Sequence, residues 1–545
     1  MTEASILHPP LPNGPRDKIH WAQLYGSAGG LLITRAAEKA DGPLLVLIKD
    51  TPTLNHIEEE VRFYGGGSPL PILTFPDQET LPYDRFSPHP DITSRRLEVM
   101  TRLPTMQRGI ILAAASTVMQ RIPPQEYVDL HSFNLSTGEQ LNRDGLRLRL
   151  DRSGYHSVSQ VIEHGEYAFR GSIIDLFPMG ADAPYRIDLF DDEVESLRMF
   201  DPETQRTTQQ VDEIHLLPAR EFPLSEDGVR HFRQSWRSTF EGDPQNSTIY
   251  RDISQGLTPS GIEYYLPLFF EETVTLFDYL PENHMLVCDE EIENSANRFW
   301  EEIRERHQDQ SFDQHRSVLG PEKLFLKTDE LFSVINQSPI AQLEHFETEP
   351  RQGHFNLSSR KPMQLGVDSR SDNPLQRLTG FMNGFSGRIV IAAESAGRRE
   401  ALLEMFRAHS IHPHPVSNWG QFLQENESLS IVVAPLDDGL LLENPPIAVI
   451  TEPQLFGEQV LQRRRRSKKG GVTTDAVIHH LSELKIGDPV VHLDHGVGRY
   501  RGLVSLNAGG TEAEYLLLEY TKDDKLYVPV TSLHLIGRYT GTDPE

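Results

Sequence analysis

The sequence predicts a multidomain α/β protein that carries an antiparallel α+β insert and ends in a small β-barrel. Short apolar runs alternate with helical patterns near the start of the chain and again after residue 346. Strand-like segments separated by turn residues fill residues 131–215, and β-branched and aromatic runs broken by Gly pairs fill residues 486–545. A chain of 545 residues is long enough for three to five such domains.

The first α/β domain is predicted in two parts, residues 1–130 and 216–345. Its first part contains apolar runs bounded by turn signals, which is typical of buried parallel strands. These runs are Pro43–Lys49, Pro71–Phe75 and Gly109–Ser116, with a helical pattern over residues 54–63. In its second part the helical period returns over residues 228–240 and 291–307.

The insert between these parts, residues 131–215, has the alternation of antiparallel strands. Glu166–Phe177 and Tyr185–Phe190 read as strands, Asp191-Asp192 as a turn, and Glu193–Phe200 as a further strand. We therefore expect an antiparallel α+β insert.

Three segments complete the chain. Residues 346–460 predict a second, small α/β domain, with strands at 388–394, 429–435 and 448–452. Residues 461–485 predict a basic linker and a helix. The run Arg463–Lys469 is interpreted either as a solvated linker or as a contact with DNA or an acidic partner. Residues 486–545 predict a strongly bent, SH3/Tudor-like β-barrel, a module that usually binds a partner.

Composition restricts the class of protein. The formal charge is −28, from 80 acidic and 52 basic residues, which argues against nucleic-acid binding over the whole surface. The sequence shows neither a membrane-spanning apolar run nor a signal peptide, so we expect a cytoplasmic protein with no membrane contact. The single cysteine, Cys288, excludes an intramolecular disulfide and a zinc site built on cysteines.

A glycine-rich segment, Tyr25–Thr34, is the main candidate for nucleotide chemistry. Gly26, Gly29 and Gly30 suit a phosphate-binding turn before a helix. A working phosphate loop also needs a Lys and a Ser or Thr at fixed offsets, and the dipeptide Gly-Lys is absent from the sequence. We therefore expect a degenerate loop. The acidic end of the apolar run Met285–Glu291 is then interpreted as solvated carboxylates and not as a magnesium site.

Other catalytic signatures are weak. The 22 histidines are scattered, and the closest groups, His479-His480 and His492/His495, lack the three or four ligands of a zinc site. A G-x-S-x-G nucleophile motif is absent. The sequence thus predicts no catalytic residue, no metal site and no cofactor in this chain.

Several ordered segments carry a specific family resemblance. They are Glu79–Pro88 (ETLPYDRFSP), Leu103–Gly109 (LPTMQRG), Glu163–Gly171 (EHGEYAFRG), Asp175–Met179 (DLFPM), Val490–Tyr500 (VVHLDHGVGRY) and Leu526–Val530 (LYVPV). In this order they resemble the N-terminal half of the bacterial transcription-repair coupling factors, the Mfd family. The resemblance covers essentially the whole chain.

The resemblance implies an architecture and partners. The first domain resembles the helicase-like fold of UvrB with a degenerate ATP loop, the insert resembles the UvrA-binding domain, and residues 486–545 resemble CarD-like domains that dock on the RNA polymerase β subunit. The role of residues 346–460 stays open. The family's ATP-driven DNA translocase, with its ATP, Mg²⁺ and most DNA contacts, is expected to lie outside this chain, which is therefore expected to be non-enzymatic. The alternatives are a UvrB-like ATPase or helicase and a CarD-type transcription regulator.

Arg170, Arg186 and Phe190 match the positions at which the family contacts UvrA. Two guanidinium groups and an aromatic ring on adjacent strands suit an interaction hot spot. From the residues alone, the alternative is that each Arg pairs with a neighbouring acid such as Asp188 or Glu193 in a surface salt bridge.

The family's polymerase contact maps to Leu493, with His492 and Val491 beside it. Period-2 alternation places Val491 and Leu493 on one face, and Val490 and His492 on the other. If Val490 packs inward, Leu493 becomes an exposed residue on an edge strand that pairs with the polymerase. Barrel core is the alternative position for Leu493.

Overall fold

The structure is a mixed α/β arrangement with several separate sheets. It is a computed structural model that describes residues 5–311, 317–349, 351–367, 373–457, 487, 489–492, 496–508, 511–520, 524–529 and 536–538. The predicted basic run Arg463–Lys469 and the predicted helix at Asp475–Leu484 lie outside these residues. In the described part of the chain, no helix combines the length and the apolar composition needed to cross a bilayer.

The chain begins with alternating strands and helices, as predicted. These elements are β1 (Lys18–Ala22), α1 (Ala28–Lys39), β2 (Leu44–Ile48), α2 (Thr51–Tyr64), β3 (Ile72–Phe75), α3 (Pro90–Arg102), a 3-10 turn (Leu103–Thr105), β4 (Ile110–Ala114), α4 (Ala115–Val118) and α5 (Gln125–His131). Local chemistry sets the start of α2, because Asp50 Oδ1 accepts a hydrogen bond of 2.8 Å from the Thr53 N–H and Pro52 occupies the first turn.

The insert follows as a largely antiparallel layer covered by one helix. Its elements are β5 (Phe133–Ser136), α6 (Arg143–Arg152), β6 (His156–Ser157), β7 (Glu166–Arg170), β8 (Ile173–Leu176), β9 (Tyr185–Phe190), β10 (Glu193–Phe200), β11 (Thr207–Val211) and β12 (Glu213–Leu216). Six strands form one sheet in the order β11-β10-β9-β8-β7-β6, which is antiparallel except where β6 pairs in parallel with β7, and β12 pairs with β5. The segment predicted as one strand over 166–177 is a hairpin, because Gly171 adopts a positive φ of 59° that turns the chain.

The chain then returns to the first domain. Its elements are α7 (Glu226–Thr239), α8 (Thr248–Ser254), β13 (Met285–Asp289), α9 (Ile292–Ser311), α10 (Pro321–Leu324), α11 (Thr328–Ile335), β14 (Ile340–Leu343) and β15 (His354–Asn356), with 3-10 turns at Pro244–Asn246, Ile262–Phe269 and Leu276–Tyr279. Seven parallel strands form the sheet β15-β1-β14-β13-β2-β4-β3. The sheet therefore takes a strand from beyond residue 345, where the sequence predicted the domain to end.

A second, smaller α/β unit follows. Its elements are α12 (Gln376–Gly384), β16 (Arg388–Ala393), α13 (Ala396–Ala408), β17 (His414–Pro415), α14 (Trp419–Gln424), β18 (Leu429–Val433), β19 (Leu440–Glu443), β20 (Pro446–Thr451) and α15 (Glu452–Phe456). The strand order is β17-β18-β16-β20-β19, and only β19 runs antiparallel among the pairs described. Trp419 is buried against Phe63 and Tyr64 of α2, with ring centroids 5.6 and 4.9 Å apart, so the two α/β units share one core.

The last strands form a separate antiparallel sheet. They are β21 (Pro489–His492), β22 (Gly496–Ala508), β23 (Thr511–Glu519), β24 (Lys525–Pro529) and β25 (Ile536–Arg538), in the order β24-β23-β22-β21-β25. A small core of this sheet includes Val490, Tyr500 and Leu516, and Leu81 and Phe86 of the first domain pack against it. The pairing of β22 with β23 shifts register between Tyr500 and Leu503, an irregularity of the kind that bends a strand.

Candidate functional site

Arg170, Arg186 and Phe190 lie on one face of the six-stranded sheet of the insert. Residues two apart on a strand share a face, so Arg186 and Phe190 on β9 point the same way. Asp175 on β8 lies opposite Arg186 in register, and Arg170 on β7 lies diagonal to Asp175. We call this surface, defined by Arg170, Asp175, Arg186 and Phe190, the Arg/Phe face. The opposite face of the sheet is apolar and packs on the main core.

Within the Arg/Phe face, Arg186 is fixed by Asp175. Its Nε and Nη2 donate hydrogen bonds of 2.7 and 3.0 Å to the two carboxylate oxygens of Asp175, whose side chain is fully buried. The guanidinium also lies 4.9 Å from the centre of the Phe200 ring. The hydrogen bonds to Asp175 raise the pKa of Arg186 above its usual value. Arg186 therefore links β9 to β8 within the Arg/Phe face.

The acid that pairs with the arginines is not the one expected. The sequence suggested Asp188 or Glu193. Asp188 instead accepts a 2.9 Å hydrogen bond from the Ser196 hydroxyl and a further hydrogen bond from Arg198. The register of β8 and β9 explains the difference, because it sets Asp175 directly across from Arg186. Sequence reasoning missed Asp175. The signal for it was an acidic residue inside the apolar run Ile173–Phe177, between two strands that each carry an Arg.

Arg170 and Phe190 form the accessible part of this face. The Arg170 side chain is 45% exposed, and its Nη2 donates a 2.5 Å hydrogen bond to the Ser159 carbonyl. Its Nη1 lies 3.8 Å from Asp175 Oδ2. Phe190 is 69% exposed, which is unusual for a ring of this size at the end of a strand. A charged group and an apolar ring are thus both presented to solvent.

Groups of the protein itself occupy the space beside the glycine-rich segment at the start of α1. Gly26 lies in the turn with φ of +56°, whereas Gly29 and Gly30 belong to the first turn of α1 and are buried, so they do not form the predicted open turn. The Gly30 N–H donates a 2.9 Å hydrogen bond to Glu60 Oε2, and the Ser27 N–H donates one of 3.0 Å to the Gly439 carbonyl. The carboxyl group of Glu60 thus accepts the hydrogen bond from the Gly30 N–H, a type of donor that binds phosphates at helix starts.

Close packing excludes further groups at the same place. A Cβ on Gly26 would lie 2.1 Å from the Gly439 oxygen, and a Cβ on Gly30 would lie 2.2 Å from Glu60 Cβ. Burial raises the pKa of Glu60 to about 8, against the lowering effect of its hydrogen bond with Gly30. Sequence reasoning missed Glu60, because no motif links this helical residue to the glycines thirty positions earlier.

The predicted polymerase-contact residues lie on β21. Val490 is fully buried and His492 is 5% exposed, whereas Val491 is half-buried, so the predicted alternation of faces is confirmed for these residues. Val491 pairs across the strands with Val497, which is 43% exposed. The sequence predicts His492 beside the polymerase contact. The structure corrects this, because the His492 imidazole is buried. Leu493 lies outside the described residues.

The predicted edge position of this strand is wrong for residues 490–492. Val490, Val491 and His492 pair with Arg538, Gly537 and Ile536 of β25, while β22 pairs along the other side. Both hydrogen-bonding sides of β21 are therefore occupied, and a partner strand cannot add here without displacing β25. The accessible feature at β21 is a side-chain face that contains Val491 and Val497.

Comparisons with protein families match three units of the chain in order. Residues 133–222 match a model of the UvrB interaction domain, residues 381–455 a model of the MFD D3 domain, and residues 484–540 a model of the CarD-like/TRCF RID domain. The first match contains the Arg/Phe face, and the last contains β21 to β25.

Whole-chain comparisons agree with these matches. The chain is 42% identical over 520 residues to a transcription-repair-coupling factor of Escherichia coli, covering 95% of this chain and 45% of the relative. It is 40% identical over 547 residues to the factor of Haemophilus influenzae, with 100% and 47% covered. Over its whole length, this chain is similar to about half of a transcription-repair-coupling factor. A factor of Bacillus subtilis is 26% identical over 550 residues.

Similarity to the coupling factors fits the order of the units described above. The chain spans about half the length of the curated relatives it matches. Over that half, the order of the matched units agrees with the architecture that the sequence resemblance implied.

Proposed function

We propose that this chain joins RNA polymerase to UvrA during transcription-coupled nucleotide-excision repair. The observation that carries the proposal is the Arg/Phe face, which presents Phe190 and Arg170 to solvent inside the unit similar to the UvrB interaction domain. Aromatic and Arg side chains are the residue types that dominate binding energy in protein interfaces.

The three residues of the UvrA surface have different roles in this proposal. Phe190 and Arg170 contact UvrA directly, since both are accessible. Arg186 is a positioning residue, because its guanidinium is held by both oxygens of the buried Asp175. A charged network behind an exposed ring keeps the surface rigid before binding, which lowers the entropic cost of association.

We further propose that β21 to β25 dock on the polymerase β subunit through the face that contains Val491, with Leu493 as a neighbouring contact. The support is the match to the CarD-like/TRCF RID domain and the pairing of the half-buried Val491 with the exposed Val497. Closure of these strands into an SH3/Tudor-like barrel belongs to the same proposal.

The segment Gly26–Gly30 is proposed to bind no nucleotide, so the UvrB-like ATPase alternative is not favoured. Glu60 and Gly439 already accept the N–H groups of Gly30 and Ser27. We propose that the protein acts in the cytoplasm, where its two partners work on DNA. For this chain we propose that contact with DNA is indirect, through those partners, in keeping with its charge of −28.

A three-component capture experiment tests the proposal. Immobilised polymerase β subunit is incubated with the chain and then with UvrA, and retained UvrA is measured. UvrA retained only when the chain is present supports the scaffold. Binding of the chain to each partner separately, but never to both, would contradict it.

A further inference from the structure

Three residues with metal-ligating side chains meet at one end of the seven-stranded sheet. His20 is the third residue of β1, Glu344 directly follows β14, and His354 opens β15. Parallel pairing sets His20 beside His354 in register, and β14 runs along the other side of β1. The fold therefore joins residues that are more than three hundred positions apart in the sequence.

The geometry leaves one of these groups without a partner. His20 Nδ1 lies 2.6 Å from Glu344 Oε1, and the His20 and His354 rings are stacked with centroids 4.0 Å apart and planes inclined by 6°. One nitrogen or carboxylate oxygen from each of the three residues lies within 4.8 Å of the others. In the described part of the chain, the buried Nδ1 of His354 has no hydrogen-bond partner. An unpaired buried polar atom is destabilising unless a further group satisfies it.

We propose that His20, Glu344 and His354 bind a divalent transition-metal ion, with Zn²⁺ as the best fit. Two imidazoles and one carboxylate are a ligand set typical of zinc, at bond lengths of about 2.0–2.2 Å. The ion replaces the proton shared by His20 and Glu344 and gives His354 Nδ1 a ligand bond. Binding requires the two stacked rings to rotate about their Cβ–Cγ bonds, so that both lone pairs point at the ion.

Such a site would stabilise the connection between the two α/β units. After β15, the Leu357 N–H donates a 3.1 Å hydrogen bond to the Ala22 carbonyl, and Ser359 forms a bridge with Leu442 of the small α/β unit. The metal fixes the start of this connection to β1. The His20 and Glu344 side chains are 20% and 15% exposed. The role that we infer is structural, because the ligands come from β1, from the residue after β14 and from the start of β15.

The test uses the full, tag-free chain and Zn²⁺ alone. After chelator treatment and dialysis against buffered Zn²⁺, bound metal is measured by mass spectrometry and the melting temperature is recorded with and without Zn²⁺. We expect Zn²⁺ uptake and a higher melting temperature. Co²⁺ substitution should give visible absorption bands of the intensity typical of four-coordinate sites.

Variants distinguish this site from other histidines. Glu344→Gln and His354→Asn should weaken Zn²⁺ binding more than about 10-fold, a loss that even an outer-shell change can produce. His345→Asn is the matched control, since His345 is exposed and pairs with Glu290, and it should bind like the unmodified chain. If the Glu344→Gln and His354→Asn variants bind as much Zn²⁺ as the unmodified chain, the proposal is overturned. If a variant does not fold, the unmodified chain decides, because an unchanged melting temperature with Zn²⁺ also overturns it.

Discussion

The Gly30 N–H donates a hydrogen bond of 2.9 Å to Glu60 Oε2, so the buried carboxyl group of Glu60 on α2 already pairs with an N–H at the start of α1. The two residues come from α1 and α2, which are consecutive helices in the succession β1-α1-β2-α2-β3. The same place is closed on its other side by Gly439 of the small α/β unit. This segment has therefore become a packing contact between two units.

The first prediction concerns nucleotides. We expect no saturable binding of a fluorescent ATP analogue, with Mg²⁺ present, up to the roughly 1 mM that covers ordinary enzyme substrates. The reason is that the phosphates of ATP would have to replace Glu60 and Gly439 as the acceptors of the hydrogen bonds that Gly30 and Ser27 donate. Fluorescence anisotropy measures this, and saturable binding would contradict the assignment.

The second prediction concerns the pH dependence of stability. Burial raises the pKa of Glu60 from 4.5 to about 8, with Asp438 and Glu59 adding to the shift and His56 opposing it. Between these two pH values the unfolded chain loses the proton first, so the free energy of unfolding falls as pH rises and stays lower above pH 8. Each pKa unit corresponds to about 1.4 kcal/mol, so the effect amounts to several kcal/mol.

Glu60→Gln is the variant for this test. The amide cannot ionise, so its melting temperature should lose this pH dependence and exceed that of the unmodified chain increasingly from pH 5 to pH 9. Glu59→Gln, one position earlier on α2, removes only the smallest of these contributions and should keep most of the original dependence. Parallel curves for the Glu60→Gln variant and the unmodified chain would show that Glu60 does not titrate as described.

The third prediction separates contact from support on the Arg/Phe face. Phe190→Ala should weaken UvrA binding by about 2 kcal/mol, the magnitude of an interface hot spot, without changing the melting temperature. Leu148→Ala is the control, because Leu148 is 51% exposed on α6, which covers the opposite side of the sheet. Surface plasmon resonance with immobilised UvrA measures both. Equal affinity of the two variants would remove Phe190 from the interface.

The fourth prediction is that Arg186→Ala destabilises the insert. Removing this guanidinium leaves the buried Asp175 carboxylate largely unpaired, which typically costs about 3–5 kcal/mol. Denaturant unfolding of the full chain should show an earlier transition. Replacing Arg186 and Asp175 together by Leu should recover much of the stability, since both charges are then absent. A stable Arg186→Ala variant that still loses UvrA binding would instead make Arg186 a direct contact.

The fifth prediction uses two adjacent residues of β21. Val491→Arg should prevent binding to the polymerase β subunit while the chain stays folded, because Val491 is half-buried on the outer face. Val490→Arg should unfold the last sheet, because Val490 is fully buried in its core. Tryptic protection and β-subunit capture report the two effects. Normal polymerase binding by Val491→Arg would place the docking surface elsewhere.

Much of the fold was predictable because local patterns dominate it. The apolar runs at β2, β3, β4, β16, β18 and β20 were recognised from composition and flanking turns. The hairpin of β7 and β8 was read as one strand, since a single Gly with positive φ leaves little trace in an alternating pattern. The position of β15 was missed, because pairing with β1 depends on contacts across more than three hundred residues.

Residue identity and spacing alone indicate the family resemblance, the order of the units and the alternation that puts Val490 and Val491 on opposite faces of their strand. These properties follow from residue identity and short-range periodicity. Contacts between distant segments establish the rest: Asp175 and not Asp188 holds Arg186, Glu60 accepts the hydrogen bond from Gly30, and β25 pairs with β21. Each of these depends on strand register or on packing between distant segments, which no local pattern encodes.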